Sequence, residues 1–201
     1  MKKLKIAVTG GIGTGKSMFC QLLEERNYKV IKADNLAKQL LAEDENIKKN
    51  IIREFGAEAY SDGAPDVKYL AEKVFTDPEK VKKINTIIHP ATISKIEVLM
   101  EETLKQDDLV FVESALIYEA GMEDLFDYVV AVTAEDETRF ARVMERDNVS
   151  KEEIERRMDN QLSEKYKKDS ADFSVDNNGS VEDLNSKTDF LLNLIKAVSM
   201  G

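Results

Sequence analysis

A chain of 201 residues, 42% hydrophobic and 34% charged, is long enough to bury one substantial core and short for two independent domains. Its formal net charge of −10 excludes a general nucleic-acid binder, which needs a basic face, so any anionic ligand has to be held by local groups. The lone cysteine, Cys20, excludes an internal disulfide, and no grouping of cysteine with histidine offers a zinc site, a pattern that fits a reducing cytoplasm.

The opening "MKKLKIAV" reaches glycine after about five apolar residues, and no run of roughly 18 apolar residues follows, so neither a secretory leader nor a membrane span is expected. Residues 4–10, "LKIAVTG", read as a buried strand, and 16–26, "KSMFCQLLEER", as a helix with Phe19, Leu22 and Leu23 on one face. A second strand is expected over 28–34, "YKVIKAD". From 35 to 105 the pattern is mostly helical with no obvious strand, broken by turn signals at 61–66, "SDGAPD", and 76–78, "TDP". Strand runs return at 108–121 and 127–134, a helix follows, and 171–179, "ADFSVDNNG", gives a weaker last strand before a closing helix. Strand alternating with helix predicts an α/β fold with a mainly parallel five-stranded sheet flanked by helices. Only Pro65, Pro78 and Pro90 punctuate the chain, and no internal repeat is present.

Residues 10–17, "GGIGTGKS", match the pattern G-x-x-x-x-G-K-[ST] in its required setting between a strand and a helix. This is a P-loop. Glycine lets successive backbone N–H groups curl around phosphate oxygens, and the helix that starts near Lys16 directs its positive dipole end at them. Lys16 then reaches the β- and γ-phosphates of ATP, and the Ser17 hydroxyl is suited to Mg²⁺. Gly11, Gly13, Thr14, Gly15, Lys16, Ser17 and Met18 are the expected nucleotide cradle. The motif does not name the phosphate acceptor. No N-K-x-D follows, which argues against a GTPase, and a motor or transporter would need a longer chain. A small kinase needs an acid near the phosphates, and Asp34, at the carboxyl end of the second strand, has that position. The same aspartate is equally suited to cap a helix that begins near Asn35.

The pieces "TGGIGTGKS" (9–17), Ala33–Asp34, His89–Pro90, "ALIYEAG" (115–121), "RVMERDNVS" (142–150), Gln161 and "ADFSVDNNG" (171–179) occur in the order found in dephospho-CoA kinases. The sequence resembles that family from Ile6 to about Leu184. The resemblance implies a P-loop kinase fold in one domain: a core of 1–34, 106–138 and 170–201, a helical CoA-binding region over about 35–105, and a lid over about 139–169. It implies transfer of the ATP γ-phosphoryl group to the ribose 3′-hydroxyl of dephospho-CoA with Mg²⁺. The acidic charge and the short apolar runs predict neither a nucleic-acid nor a membrane partner, and a monomer is favoured without the sequence settling the oligomeric state. Another small-molecule or nucleoside monophosphate kinase, and a non-catalytic nucleotide switch, are the competing readings. The chain departs from the family at Lys32, often aspartate, at Ala115–Ile117, commonly proline and a leucine pair, and at Arg139, usually glutamine.

His89, the only histidine, reads by itself as a structural residue beside a proline at a turn; the resemblance sets it in the acceptor pocket. Glu119 is a cap or surface acid by position and a pocket residue by resemblance. Arg139, Arg142 and Arg146 form a helical stripe, either a solvated face paired with Glu135, Asp136, Glu137 and Glu145 or a set of lid arginines whose planar forks suit phosphate. Arg142 is the first choice for catalysis because it also matches the family. Arg146 has Asp147 as an alternative partner, and Arg156 and Arg157 are weaker candidates. "DNNGS" (176–180) reads as a turn, and the resemblance puts Asn177 beside the adenine.

Overall fold

β1 (Leu4–Thr9) is apolar on both faces because it runs through the middle of a parallel sheet, where helices cover each side. The computed structural model describes residues 2–74 and 77–200; the turn signal expected at 76–78 therefore lies partly outside the described residues. The chain divides into two compact units, Met1–Lys32 with Leu99–Gly201, and Ala33–Val98.

In the first unit β1 leads through the glycine-rich loop into α1 (Lys16–Glu25), which buries Phe19, Cys20, Leu22 and Leu23, and returns as β2 (Lys29–Lys32). The second unit is built from α2 (Ala33–Glu43), α3 (Glu45–Phe55), the hairpin strands β3 (Tyr60–Ser61) and β4 (Ala64–Pro65), and α4 (Val67–Val74). Asp44 caps α3 by accepting from the N–H groups of Asn46 and Ile47, and Ile47, Ile51, Ala59 and Leu70 form this unit's core. The hairpin corrects the expectation of a strandless insert. Asp62 and Gly63 both take positive φ at its turn, as a two-residue connection requires, and each strand is only two residues long, too short for a periodic signal.

α5 (Pro78–Thr103) begins on proline and carries Pro90 in its interior, so the expected turn at His89–Pro90 is instead unbroken helix. Proline removes one helical N–H but leaves the remaining ladder intact, and 26 residues of helix absorb that loss. The first unit resumes with β5 (Leu109–Glu113), β6 (Tyr128–Thr133), α6 (Asp136–Asp147), α7 (Lys151–Met158), α8 (Glu164–Ser170), β7 (Phe173–Asp176) and α9 (Val181–Met200). The run expected as strand over 108–121 stops at Glu113. Beyond it the backbone coils into turns, with the Ala120 N–H donating to Leu116 O and the Met122 N–H to Ile117 O.

The five long strands lie in the order β2-β5-β1-β6-β7, every neighbouring pair parallel, as the alternating pattern predicted. One face is covered by α1 and α9, whose Phe19, Leu23, Leu184 and Ile195 pack on Ile6, Phe111 and Val130. Among the described residues no helix is long and apolar enough to cross a membrane.

Candidate active site

The carboxyl ends of β1 and β5 lie side by side, with Val8 opposite Glu113, so the loop after β1 and the last residue of β5 share one edge of the sheet. The loop ends at Gly15 in the left-handed region, φ 88°, from which α1 starts. Glycine is required there twice over. A side chain would be strained by that φ, and its Cβ would stand 2.0 Å from the amide nitrogen of Asn177. That amide donates to Thr14 O at 2.8 Å, and the Asn177 backbone N–H donates to Thr133 O, so the segment after β7 is tied to the loop.

At the first turn of α1, Lys16 Nζ lies 2.8 Å and Ser17 Oγ 2.7 Å from the same oxygen of Glu113. Burial pushes the Glu113 carboxyl up, but the charge of Lys16, the hydrogen bonds from Lys16 and Ser17, and the charge of Lys32 outweigh it and hold the group below its ordinary value. Glu113 is an anionic oxygen donor at the head of the helix. Sequence reading missed it, although an acid that ends an apolar strand beside a P-loop is the pattern by which such proteins hold magnesium. Met18, the next residue of α1, is partly exposed.

The arginine stripe separates into three roles. Arg139 is buried, donating through Nε to Ile12 O at 2.9 Å and through Nη1 to Asp136 at 2.8 Å. Arg146 takes the alternative partner, bonding Asp147 at 2.6 and 3.0 Å, and Arg157 joins the same carboxylate at 3.1 Å. Arg142 differs: its Nη1 is buried with no hydrogen-bond partner among the described residues and lies 3.7 Å from where a Cβ at Gly15 would be. Of the stripe, Arg142 is the guanidinium that retains donors toward the loop.

Glu119 accepts from the Leu162 N–H at 2.8 Å and pairs with the fully buried Lys167 at 2.9 Å, while Lys167 also donates to Ala115 O at 2.6 Å. Two further contacts reach the P-loop from the same segment: Gln161 accepts from the Ile12 N–H at 3.1 Å and Glu164 from the Gly11 N–H at 2.7 Å. Burial raises the Glu164 carboxyl above its ordinary value despite the opposing charge of Arg139. No sequence signal paired Glu164 or Lys167 with partners so far along the chain.

Asp34 and His89 belong to the second unit. Asp34 is exposed in the first turn of α2, two residues after Lys32, the β2 residue that pairs in register with Glu113. His89 is half-buried in α5, and burial lowers its pKa. Lys32, at the departure from the family pattern, is ion-paired with Glu24 at 2.9 Å.

A glycine-rich loop between a central parallel strand and a helix, with lysine, serine and a strand-end acid in mutual contact, defines a P-loop phosphotransferase. At the level of fold, a shikimate kinase from Acinetobacter baumannii superposes with a TM-score of 0.57 at 14% identity, covering 99% of this chain and 96% of that one. The dephospho-CoA kinase family matches residues 4–183, and the chain belongs to that family, the ATP-dependent phosphotransferases of the last step of coenzyme A synthesis. A dephospho-CoA kinase of Salinibacter ruber is 37% identical over 185 residues, 91% of this chain and 93% of that protein. The dephospho-CoA kinase structure from Campylobacter jejuni gives a TM-score of 0.71 at 29% identity, with 98% of each chain covered.

Proposed function

We propose that the P-loop amides beyond Ile12, Lys16 and Arg142 hold the triphosphate of ATP while Asp34 orients the ribose 3′-hydroxyl of dephospho-CoA and takes its proton as the γ-phosphoryl group transfers, giving coenzyme A and ADP; the Gly11 and Ile12 N–H groups are already taken by Glu164 and Gln161. The observation that carries this reading is the single oxygen of Glu113 shared by Lys16 and Ser17, which sets both side chains at the head of α1. Charge developing on the phosphoryl oxygens is then met by groups already fixed by folding, which avoids reorganisation during the reaction.

Ser17 and Glu113 supply adjacent hard oxygen donors, and Mg²⁺ in nucleotide sites needs only one or two protein ligands, so these residues fit the ion. When bound, Mg²⁺ neutralises charge on the β- and γ-phosphate oxygens. Arg142 supports the phosphates with donors that no protein acceptor takes among the described residues. Asn177 fixes the loop carbonyl of Thr14 and borders the adenine. His89 and Glu119 serve the acceptor side, His89 neutral at pH 7 because burial disfavours its cation. On this reading the enzyme works in the cytoplasm on two small molecules.

The test is a panel of acceptors incubated with γ-labelled ATP and Mg²⁺. Label on the 3′-position of dephospho-CoA supports the reading. Label preferentially on shikimate or a nucleoside monophosphate overturns the acceptor assignment, and ATP binding without acceptor-dependent ADP release overturns catalysis.

A further inference from the structure

We propose that Arg139, Gln161 and Glu164 form a clamp that presets the Gly11–Ile12 stretch of the P-loop, acting as positioning residues for nucleotide binding. Of the four backbone polar groups in this stretch, Gly11 O accepts from Thr14 within the loop, and the other three are taken by side chains from a distant part of the chain. Glu164 Oε1 accepts from the Gly11 N–H at 2.7 Å, Gln161 Oε1 accepts from the Ile12 N–H at 3.1 Å, and Arg139 Nε donates to Ile12 O at 2.9 Å. Arg139 and Glu164 also face each other, Nη2 to Oε1 at 3.9 Å, so the two charged members hold one another as well as the loop.

The fit is close enough that a side chain at residue 11 would push the clamp residues aside. A Cβ built on Gly11 would lie 2.3 Å from Glu164 Oε1 and 2.8 Å from Arg139 Nη2. The clamp is itself anchored. Leu162, next to Gln161, donates to Glu119, and Lys167, one helical turn beyond Glu164, reaches Glu119 at 2.9 Å and Ala115 O at 2.6 Å with no solvent exposure. A buried lysine is tolerated only when its charge is met, so this pair fixes where the 161–167 segment sits against the turns that follow β5.

The physical gain is entropic. Ordering a flexible residue costs about 1–2 kcal/mol, and glycines are the most costly to order. A loop with glycine at 10, 11, 13 and 15 would charge that cost to ATP binding if it were free in solution. Held by the clamp, the loop meets the cost during folding, and its curl is formed before the phosphates arrive.

The proposal rests on nucleotide binding at this loop, but not on the identity of the acceptor. The affinity of the full-length chain for a fluorescent ATP analogue with Mg²⁺, measured without acceptor, is therefore the readout, beside the KM for dephospho-CoA and the melting temperature without nucleotide. Glu164→Leu is expected to weaken nucleotide about tenfold, the loss of one charge-assisted hydrogen bond, with the acceptor KM held within about twofold. Glu164→Gln, whose carbonyl still accepts from Gly11, should recover most of the affinity. Should Glu164→Leu not fold, Arg139→Gln, which removes the fork from the Ile12 carbonyl and from Glu164, carries the same expectation. Unchanged affinity in the variants overturns the clamp alone. Equal losses in nucleotide affinity, acceptor KM and melting temperature also overturn it, in favour of a general structural role. A wild-type chain that does not bind the analogue overturns both the clamp and the reading beneath it.

Discussion

Asp34→Asn keeps the size of the side chain and removes its capacity to take a proton. Turnover should fall by about 10²-fold or more while ATP affinity stays within about twofold, and steady-state kinetics beside nucleotide titration checks both; near-normal turnover removes Asp34 from the mechanism. Glu113→Gln acts at the other end of the reaction. It leaves Lys16, whose side chain is 11% exposed, without its partner charge and weakens the oxygen pair offered to the ion. The Mg²⁺ concentration that half-saturates turnover should rise about tenfold or more, read by titrating the ion at fixed ATP. His89 couples the second unit to pH. Its folded pKa is lowered from an ordinary 6.5 by burial, so the unfolded chain binds a proton that the fold disfavours. That contribution to stability is present above the ordinary value and is lost as pH falls through the lowered one. His89→Gln should flatten the acid limb of a plot of unfolding midpoint against pH below about 6.5.

Among the elements, β5 carries both packing and chemistry: all five of its residues are buried, and its last residue holds Lys16 and Ser17. Phe111 has no exposed surface and meets Tyr28 edge to face at 5.6 Å. Phe111→Ala should cost about 3–5 kcal/mol by denaturant unfolding. The strands β1 and β6 were legible because both faces are buried and the apolar run is continuous, and the P-loop was legible because its chemistry is local, eight residues in a row. The end of β5 was not, since apolar residues continue into "ALIY", where hydrogen bonds rather than polarity turn the chain. Pro90 misled because the punctuating power of proline yields to a helix long enough to carry it. Arg139 showed its helical stripe but not its partners: whether an arginine pairs with solvent, a neighbour or a loop carbonyl 127 residues away is decided by the fold. Glu164 and Lys167 were silent for the same reason, each being an ordinary charged residue of a polar helix until closure buries it.

At the scale of the whole molecule, a net charge of −10 gives no general attraction for a polyanion, so the proposed nucleotide site depends on backbone dipoles, Lys16 and Arg142 acting locally. Binding at a preset loop adds directly to global stability. ATP with Mg²⁺ at about a hundred times its dissociation constant should contribute roughly 2.7 kcal/mol, visible as a rise in melting temperature. Lys16→Ala should abolish most of that rise, and an undiminished shift would move the nucleotide away from this loop.

Cys20 lies in α1 with no exposed surface, and burial, reinforced by the negative charge of Glu113, pushes its thiol far above the ordinary range. Only a thiolate attacks a disulfide, so this sulfur is inert at any physiological pH. An enzyme whose acceptor and product both end in a reactive sulfhydryl is thereby spared mixed-disulfide adducts with the molecules it handles, and oxidised coenzyme A should leave its mass unchanged.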